Sequence, residues 1–213
     1  GATVVTMPRF DMDDFLALIQ RYRITTLPMV PPMVLGLAKS PLVDQYDLSS
    51  LRTGIMAGAT CPIEVMKRVI EQMHMAEVQI AYGMTETSPV STQTSTSDSL
   101  DHRVSTVGRV HPHVEVKIVD PESGRVLGRN ESGELCTRGY CVMLGYWNDN
   151  AATSAAIDPG RWMHTGDLAS MDDDGYVSIV GRIKDMIIRG GENVYPREIE
   201  EFLYTHPDVA DAQ

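Results

Sequence analysis

The order of hydrophobic periodicities constrains this chain more than any other feature of its sequence. A helical repeat at residues 11–22 sets Phe15, Leu16, Leu18, Ile19 and Tyr22 on one face, with Asp11 placed as the N-cap. A short apolar run at 24–29 ends at prolines, and Pro31-Pro32 opens a helix through Leu37. Residues 53–57 are strand-like, Pro62 opens a helix with Ile63, Met66, Val69, Ile70 and Met73 inward, and 77–81 form another strand. Helix alternating with strand implies crossover units and a largely parallel sheet.

The pattern then changes. Residues 88–99 are rich in Ser and Thr, lie between ordered-looking segments, and read as a surface loop. Residues 113–119, 133–138, 166–171 and 175–180 alternate by twos, with Asp172-Asp-Asp-Gly175 as a turn between the last two. This predicts a hairpin-bearing antiparallel region. A brief strand at 185–189 and a helix at 196–204, with Ile199, Phe202 and Leu203 inward, follow. That last stretch is too short to own a core and is expected to begin a second domain. The fold class expected is α/β, a parallel-sheet region joined to an antiparallel one.

Charge narrows the partners. With 18 basic against 29 acidic residues the net charge is -11, which disfavours nucleic acid and anionic lipid because phosphate-backbone binding is mostly electrostatic. Every long apolar run is interrupted within a few residues, so no transmembrane segment is expected. Cys61, Cys136 and Cys141 are odd in number and irregularly spaced, which predicts free thiols, small and buried or half-buried, in a reducing cytoplasm or organelle matrix. They are not expected to form a metal site with His102, His111 or His113. The sequence starts at Gly1 without an initiator Met or a signal peptide, and both ends read as internal points of a longer chain.

Three polar segments are placed at apolar strands. Tyr82-Gly83-Met84-Thr85-Glu86-Thr87 follows a strand whose C-terminal end would open on a ligand crevice in a parallel sheet. Tyr82 offers an aromatic face, Gly83 close approach of the backbone, Thr85 a hydroxyl for a phosphate oxygen, and Glu86 a hard oxygen ligand for Mg2+. The alternative for this segment is a polar turn. Trp162-Met163-His164-Thr165-Gly166-Asp167 sets a carboxylate beside a glycine at a strand boundary, suited to ribose hydroxyls or to a plain turn. Gly181-Arg182-Ile183-Lys184-Asp185, with Arg189-Gly190-Gly191-Glu192-Asn193 beyond it, combines cations with glycines and reads as an anion site, a hinge, or a charged turn. No Walker A pattern, G-x-G-x-x-G, H-E-x-x-H or Ser-His-Asp arrangement is written in the chain.

Together and in this order, these segments resemble the acyl-CoA synthetases of the adenylate-forming superfamily. Val30-Pro31-Pro32, Gly54-Ile-Met-Ala-Gly-Ala-Thr60 and Gly145-Tyr-Trp-Asn148 extend the likeness over essentially the whole chain. It is closer to fatty-acyl and 4-coumarate-type CoA ligases than to peptide-synthetase adenylation domains. The resemblance implies that a carboxylate attacks the α-phosphorus of Mg-ATP, and that the thiol of CoA then displaces AMP after a small C-terminal domain rotates. Residues 1–181 would be the C-terminal part of the large domain, and 182–213 the hinge and start of the small one.

Carried onto this sequence, the resemblance has Tyr82 packing on adenine, with Gly58, Ala59 and Thr60 lining the adenine and acyl pocket. Gly83 would lie at the nucleotide, Thr85 would contact the α-phosphate, Glu86 would hold Mg2+, and Asp167 would bind the ribose hydroxyls, assisted by Arg182. Lys184 would be the hinge, and Gly190 and Gly191 would line the arm of CoA. The family's phosphate loop and catalytic lysine do not occur in these 213 residues, so the piece alone is expected to be inactive and prone to association. A medium- to long-chain fatty acid is the expected substrate, and a homo-oligomer is allowed. Alternatives are a fatty-acyl-AMP ligase, a luciferase-like enzyme, or a non-catalytic nucleotide-binding domain.

Overall fold

Asp11 starts the first helix as its spacing predicts, its Oδ1 accepting from the backbone N–H groups of Asp13 and Asp14 at 3.0 and 3.1 Å. The structure, a computed structural model, describes residues 1–58, 63–189, 192–204, 206 and 209. Two compact units divide the chain, residues 1–79 and 80–213.

The first unit runs α1 (Met12–Tyr22), β1 (Thr26–Met29), α2 (Pro31–Lys39), β2 (Thr53–Met56), α3 (Ile63–Gln72) and the opening residues of β3 (Glu77–Gly83). β1 and β2 pair in parallel, with Leu27 opposite Gly54 and Met29 opposite Met56. These four residues are buried, while Thr26, Pro28 and Ile55 on the other face are exposed. The crossover through α2 is the βαβ unit that parallel pairing requires. Leu16 and Ile19 of α1, Val34 and Leu37 of α2, and Met66 and Val69 of α3 are buried. Tyr22, expected on the inward face of α1, is half exposed. It sits in the last turn, just before Arg23 reverses the chain in a left-handed conformation.

The second unit is mainly antiparallel. β3 pairs with β4 (Val90–Gln93), which pairs with β5 (Arg109–Val110) beyond α4 (Leu100–Ser105). A four-stranded sheet is ordered β6 (Val114–Val119), β7 (Gly133–Gly139), β8 (Met163–Met171), β9 (Val177–Arg182), with α5 (Asn150–Ala156) between β7 and β8 in sequence. The hairpin β10 (Ile187–Arg189) and β11 (Glu192–Val194) and then α6 (Pro196–Tyr204) follow. One core cluster contains Val114, Cys141, Val142, Ile157 and Met163, and a second Ile118, Leu135, Ala169 and Val177. The mixed α/β architecture matches the expected fold class.

Three local expectations are corrected. The Ser/Thr-rich stretch is not all surface loop, because Val90–Gln93 is strand β4 and Ser91, Thr92 and Thr94 are buried. Thr is a good strand former, and buried hydroxyls can pair with backbone, as when Thr94 Oγ1 accepts from Ile80 N at 2.9 Å. The strand expected at 185–189 begins only at Ile187, since Ile183–Asp185 form a 3-10 turn. In α6, Ile199, Phe202 and Leu203 are exposed rather than inward. Spacing decides which residues share a helix face, whereas burial depends on what packs there. Arg197 Nη1 of that helix donates to the carbonyl of Ile179.

Cys136 and Cys141 are free and buried, as expected, and Cys61 lies outside the described residues. Burial, with the Glu134 carboxylate nearby, pushes the Cys136 thiol up to about 12, and burial raises Cys141 as well. Both stay protonated and unreactive at neutral pH. Among the described residues no helix is long and apolar enough to cross a membrane.

Candidate functional site

Tyr82, near the end of β3, has its ring packed against the Ile118, Leu135, Ala169 and Val177 cluster. Its hydroxyl leaves the apolar contact and donates to Asp167 Oδ2 at 2.7 Å. The other carboxylate oxygen, Asp167 Oδ1, lies 3.2 Å from Arg182 Nε. Cross-strand pairing of β8 with β9 sets Asp167 directly opposite Arg182. Residues from three strands thus converge on one carboxylate that is only 8% exposed. A carboxylate offers about four acceptor positions, so two remain for donors arriving from outside. Burial and the Asp167 charge raise the Tyr82 phenol far above its ordinary value, so it remains a proton donor.

Asp167 does not stand at a strand boundary as its neighbouring glycine suggested. It lies inside β8, where the β7–β8 ladder is interrupted: Glu134 faces Leu168 and Cys136 faces His164. Thr165, Gly166 and Asp167 therefore bulge opposite the single residue Leu135. Bulges of this kind re-aim a side chain beside a site, and Gly166 takes the positive φ of 72° that the detour requires. Thr165 Oγ1 donates to the carbonyl of Leu135 at 2.7 Å and accepts from Asp167 N at 3.2 Å.

After β3 the chain tightens into a 3-10 turn, Thr85–Thr87. The buried Thr87 hydroxyl accepts from Met84 N and donates to Pro89 O, both at 3.0 Å. This leaves Thr85 exposed and Glu86 half-buried. The 3-10 turn is locked to the loop beyond β7, with Met143 N donating to Glu86 O and the Tyr146 hydroxyl donating to Glu86 Oε1, each at 2.8 Å. That bond raises the Tyr146 phenol, keeping it a donor. Glu86 Oε2 stays available to a hard cation.

The structure thus brings together Tyr82, Asp167 and Arg182, with Gly83, Thr85 and Glu86 following Tyr82 along the chain. Gly83 does permit a close approach, but by the chain's own Pro89 carbonyl, since a Cβ there would meet it at 1.7 Å. At the motif the strand has an antiparallel neighbour on one side, because Tyr82 and Gly83 pair with β4. Lys184 is exposed in the 3-10 turn after β9. Gly58 is an exposed turn residue of the first unit, with φ 91°. Ala59, Thr60, Gly190 and Gly191 lie outside the described residues.

Sequence reasoning missed Tyr146, Glu134 and His164 as members of this region. Tyr146 stood in a quoted motif, but nothing local linked it to Glu86, sixty positions away. Glu134, Cys136 and His164 bring their ligand-type atoms within 4.8 Å of one another, among the described residues. The arrangement is already satisfied as a hydrogen-bonded pair, His164 Nδ1 to Glu134 Oε2 at 2.7 Å, with the Cys136 thiol 3.5 Å from the same nitrogen.

The chain is 55% identical over its whole length to a protein named as an acyl-CoA synthetase, YngI of Bacillus subtilis (strain 168), and covers 39% of it. It is 44% identical to the mitochondrial medium-chain acyl-CoA ligase ACSF2 of Bos taurus, again over all of this chain and 35% of the relative. It therefore spans about two fifths or less of the length of these relatives. The ATP-bound crystal structure of MatB from Rhodopseudomonas palustris superposes with a TM-score of 0.86 at 33% identity, covering 97% of this chain and 40% of that one. The AMP-binding enzyme family matches residues 1–147. That match takes in the Tyr82–Glu86 segment and the Tyr146 loop locked to it, and the chain belongs to the AMP-binding enzyme family.

Proposed function

We propose that this chain is the nucleotide-holding part of an AMP-forming acyl-CoA synthetase. In the first step a substrate carboxylate attacks the α-phosphorus of ATP and pyrophosphate leaves. In the second the thiol of CoA attacks the acyl carbonyl, AMP leaves, and the thioester forms. The observation that carries the reading is the Asp167 carboxylate, gripped by Tyr82 and Arg182 with two acceptor positions left over. A ribose, with two adjacent hydroxyl donors, suits those two acceptor positions.

Tyr82 is then the adenine contact, and Gly58, Ala59 and Thr60 belong to the adenine and acyl pocket. The exposed Thr85 hydroxyl is assigned to the α-phosphate, where an oriented donor stabilises charge that grows in the transition state. Glu86 presents a carboxylate fixed on one oxygen by Tyr146, a hard donor that fits Mg2+ shared with phosphate. Residues 1–181 are read as part of the large domain, and 182–213 as the hinge, with Lys184, and the start of a small domain that presents Gly190 and Gly191 to CoA. The ACSF2 relatives support a medium-chain acid as substrate, and the buried thiols fit a reducing cytoplasm or organelle matrix.

Acid-dependent ATP–pyrophosphate exchange by the intact protein, over a panel from acetate to palmitate plus aryl acids, tests the reading. Exchange is expected with medium-chain acids, followed by thioester formation when CoA is added. ATP binding without exchange for any acid would leave a non-catalytic nucleotide-binding domain instead. Tyr146→Phe is expected to raise the Mg2+ concentration for half-maximal exchange about fivefold, since one hydrogen bond contributes about 1 kcal/mol. An unchanged Mg2+ dependence would remove Tyr146 from the site.

A further inference from the structure

The Thr165–Gly166–Asp167 bulge needs an explanation, because each extra residue in a strand loses its ladder partner. Leu135 alone faces the three residues, and its carbonyl takes the Thr165 hydroxyl. The amide of Gly166 is served by a side chain: Glu134 Oε1 accepts from Gly166 N at 3.1 Å. The other oxygen of the same carboxylate, Oε2, is 2.7 Å from His164 Nδ1. His164 is braced on its far side by Asp158, whose Oδ2 lies 4.0 Å from Nε2 while Oδ1 accepts from Trp162 N at 2.9 Å. Glu134 thus grips β8 on both sides of Thr165, and the detour it stabilises ends at Asp167.

A buried carboxylate is costly unless its oxygens are matched by donors. Glu134 is 9% exposed, and one of its oxygens is spent on the bulge and the other on His164 just before it. It stands opposite Leu168, one residue past Asp167, so it meets the bulge from the β7 side, while Arg182 and Tyr82 meet Asp167 from the others. Without the Glu134 contact the Gly166 amide would lose its acceptor, and the three bulged residues, which the register leaves without ladder partners on β7, would relax and turn the Asp167 side chain with them.

We propose that Glu134 is a positioning residue that holds the β8 bulge and so aims Asp167 at the ribose of the nucleotide. The proposal rests on the reading of Asp167 as the ribose ligand. Cys136 and Lys117, which lie across from His164 and beside Cys136 in the ladders, are not needed for this role.

The test is equilibrium binding of ATP and of 2′,3′-dideoxy-ATP to the intact protein, its Glu134→Ala, Glu134→Asp and Glu134→Gln variants, and Asp167→Asn. Glu134→Ala is expected to weaken ATP about tenfold, an ordinary consequence of one misaimed charged contact, and to leave dideoxy-ATP unchanged. Glu134→Asp keeps the charge but withdraws the oxygen from Gly166 N, and should behave like Ala. Glu134→Gln retains an acceptor for Gly166 N and should stay within about threefold of the parent for ATP. Equal losses for both nucleotides, or failure of both variants to fold, would make Glu134 a stability residue, and no loss in Ala and Asp would leave it no part in aiming Asp167; each result overturns the proposal. A parent protein that binds ATP and dideoxy-ATP equally, with Asp167→Asn silent, would instead sink the ribose reading itself.

Discussion

Asp167→Asn in the intact protein is expected to weaken ATP binding about a hundredfold while changing thermal stability little. The substitution keeps the shape and removes the charge. Two ribose hydroxyls would lose charge-assisted bonds worth about 1.5 kcal/mol each, or roughly 3 kcal/mol in all, which is about two powers of ten in affinity. Stability responds less, because the asparagine oxygen still accepts from Tyr82, and Arg182, with 59% of its side chain exposed, turns to water. Calorimetric titration with ATP alongside a melting curve separates the two effects. Affinity within twofold of the parent would show that Asp167 does not meet the nucleotide.

The second large effect falls on stability. Gly83→Ala should destabilise the intact protein by about 3 kcal/mol, read as a lowered melting temperature. The new Cβ would lie 1.7 Å from Pro89 O, 2.7 Å from Pro89 C and 2.9 Å from Val90 Cα, all backbone atoms that cannot swing aside. Relief requires opening the β3–β4 turn, which carries Thr85 and Glu86, so exchange activity should fall in whatever fraction still folds. An unchanged melting curve would mean that this turn can widen freely, against the hydrogen bonds that tie Thr87 to Met84 and Pro89.

Much of the fold was legible because it is written in short-range terms. The Asp11 cap, the α1 and α3 stripes, and the alternation of β6 to β9 depend on residues within one or two turns of each other. The misreadings share a cause. Residues 88–99 looked like a loop because Ser and Thr are polar, but pairing of Val90–Gln93 with β3 and β5 supplies the environment that makes them strand. Ile199, Phe202 and Leu203 were placed on one face correctly, yet their burial was a property of neighbours the spacing does not specify.

The candidate site divides in the same way. The residues proposed to carry nucleotide chemistry, from Tyr82 through Glu86 to Asp167 and Arg182, stand out in the sequence as polar segments, and their order along the chain is what the family resemblance rests on. That Tyr82 hydrogen-bonds Asp167 across 85 positions, that Asp167 stands in a bulge rather than at a strand end, that Glu134 holds the Gly166 amide and that Tyr146 holds Glu86 emerged only when the strands were set in register. The physical reason is that side-chain periodicity is a local property of φ and ψ. A bulge or a hydrogen bond between distant strands is instead fixed by which residues the assembled sheet sets opposite each other.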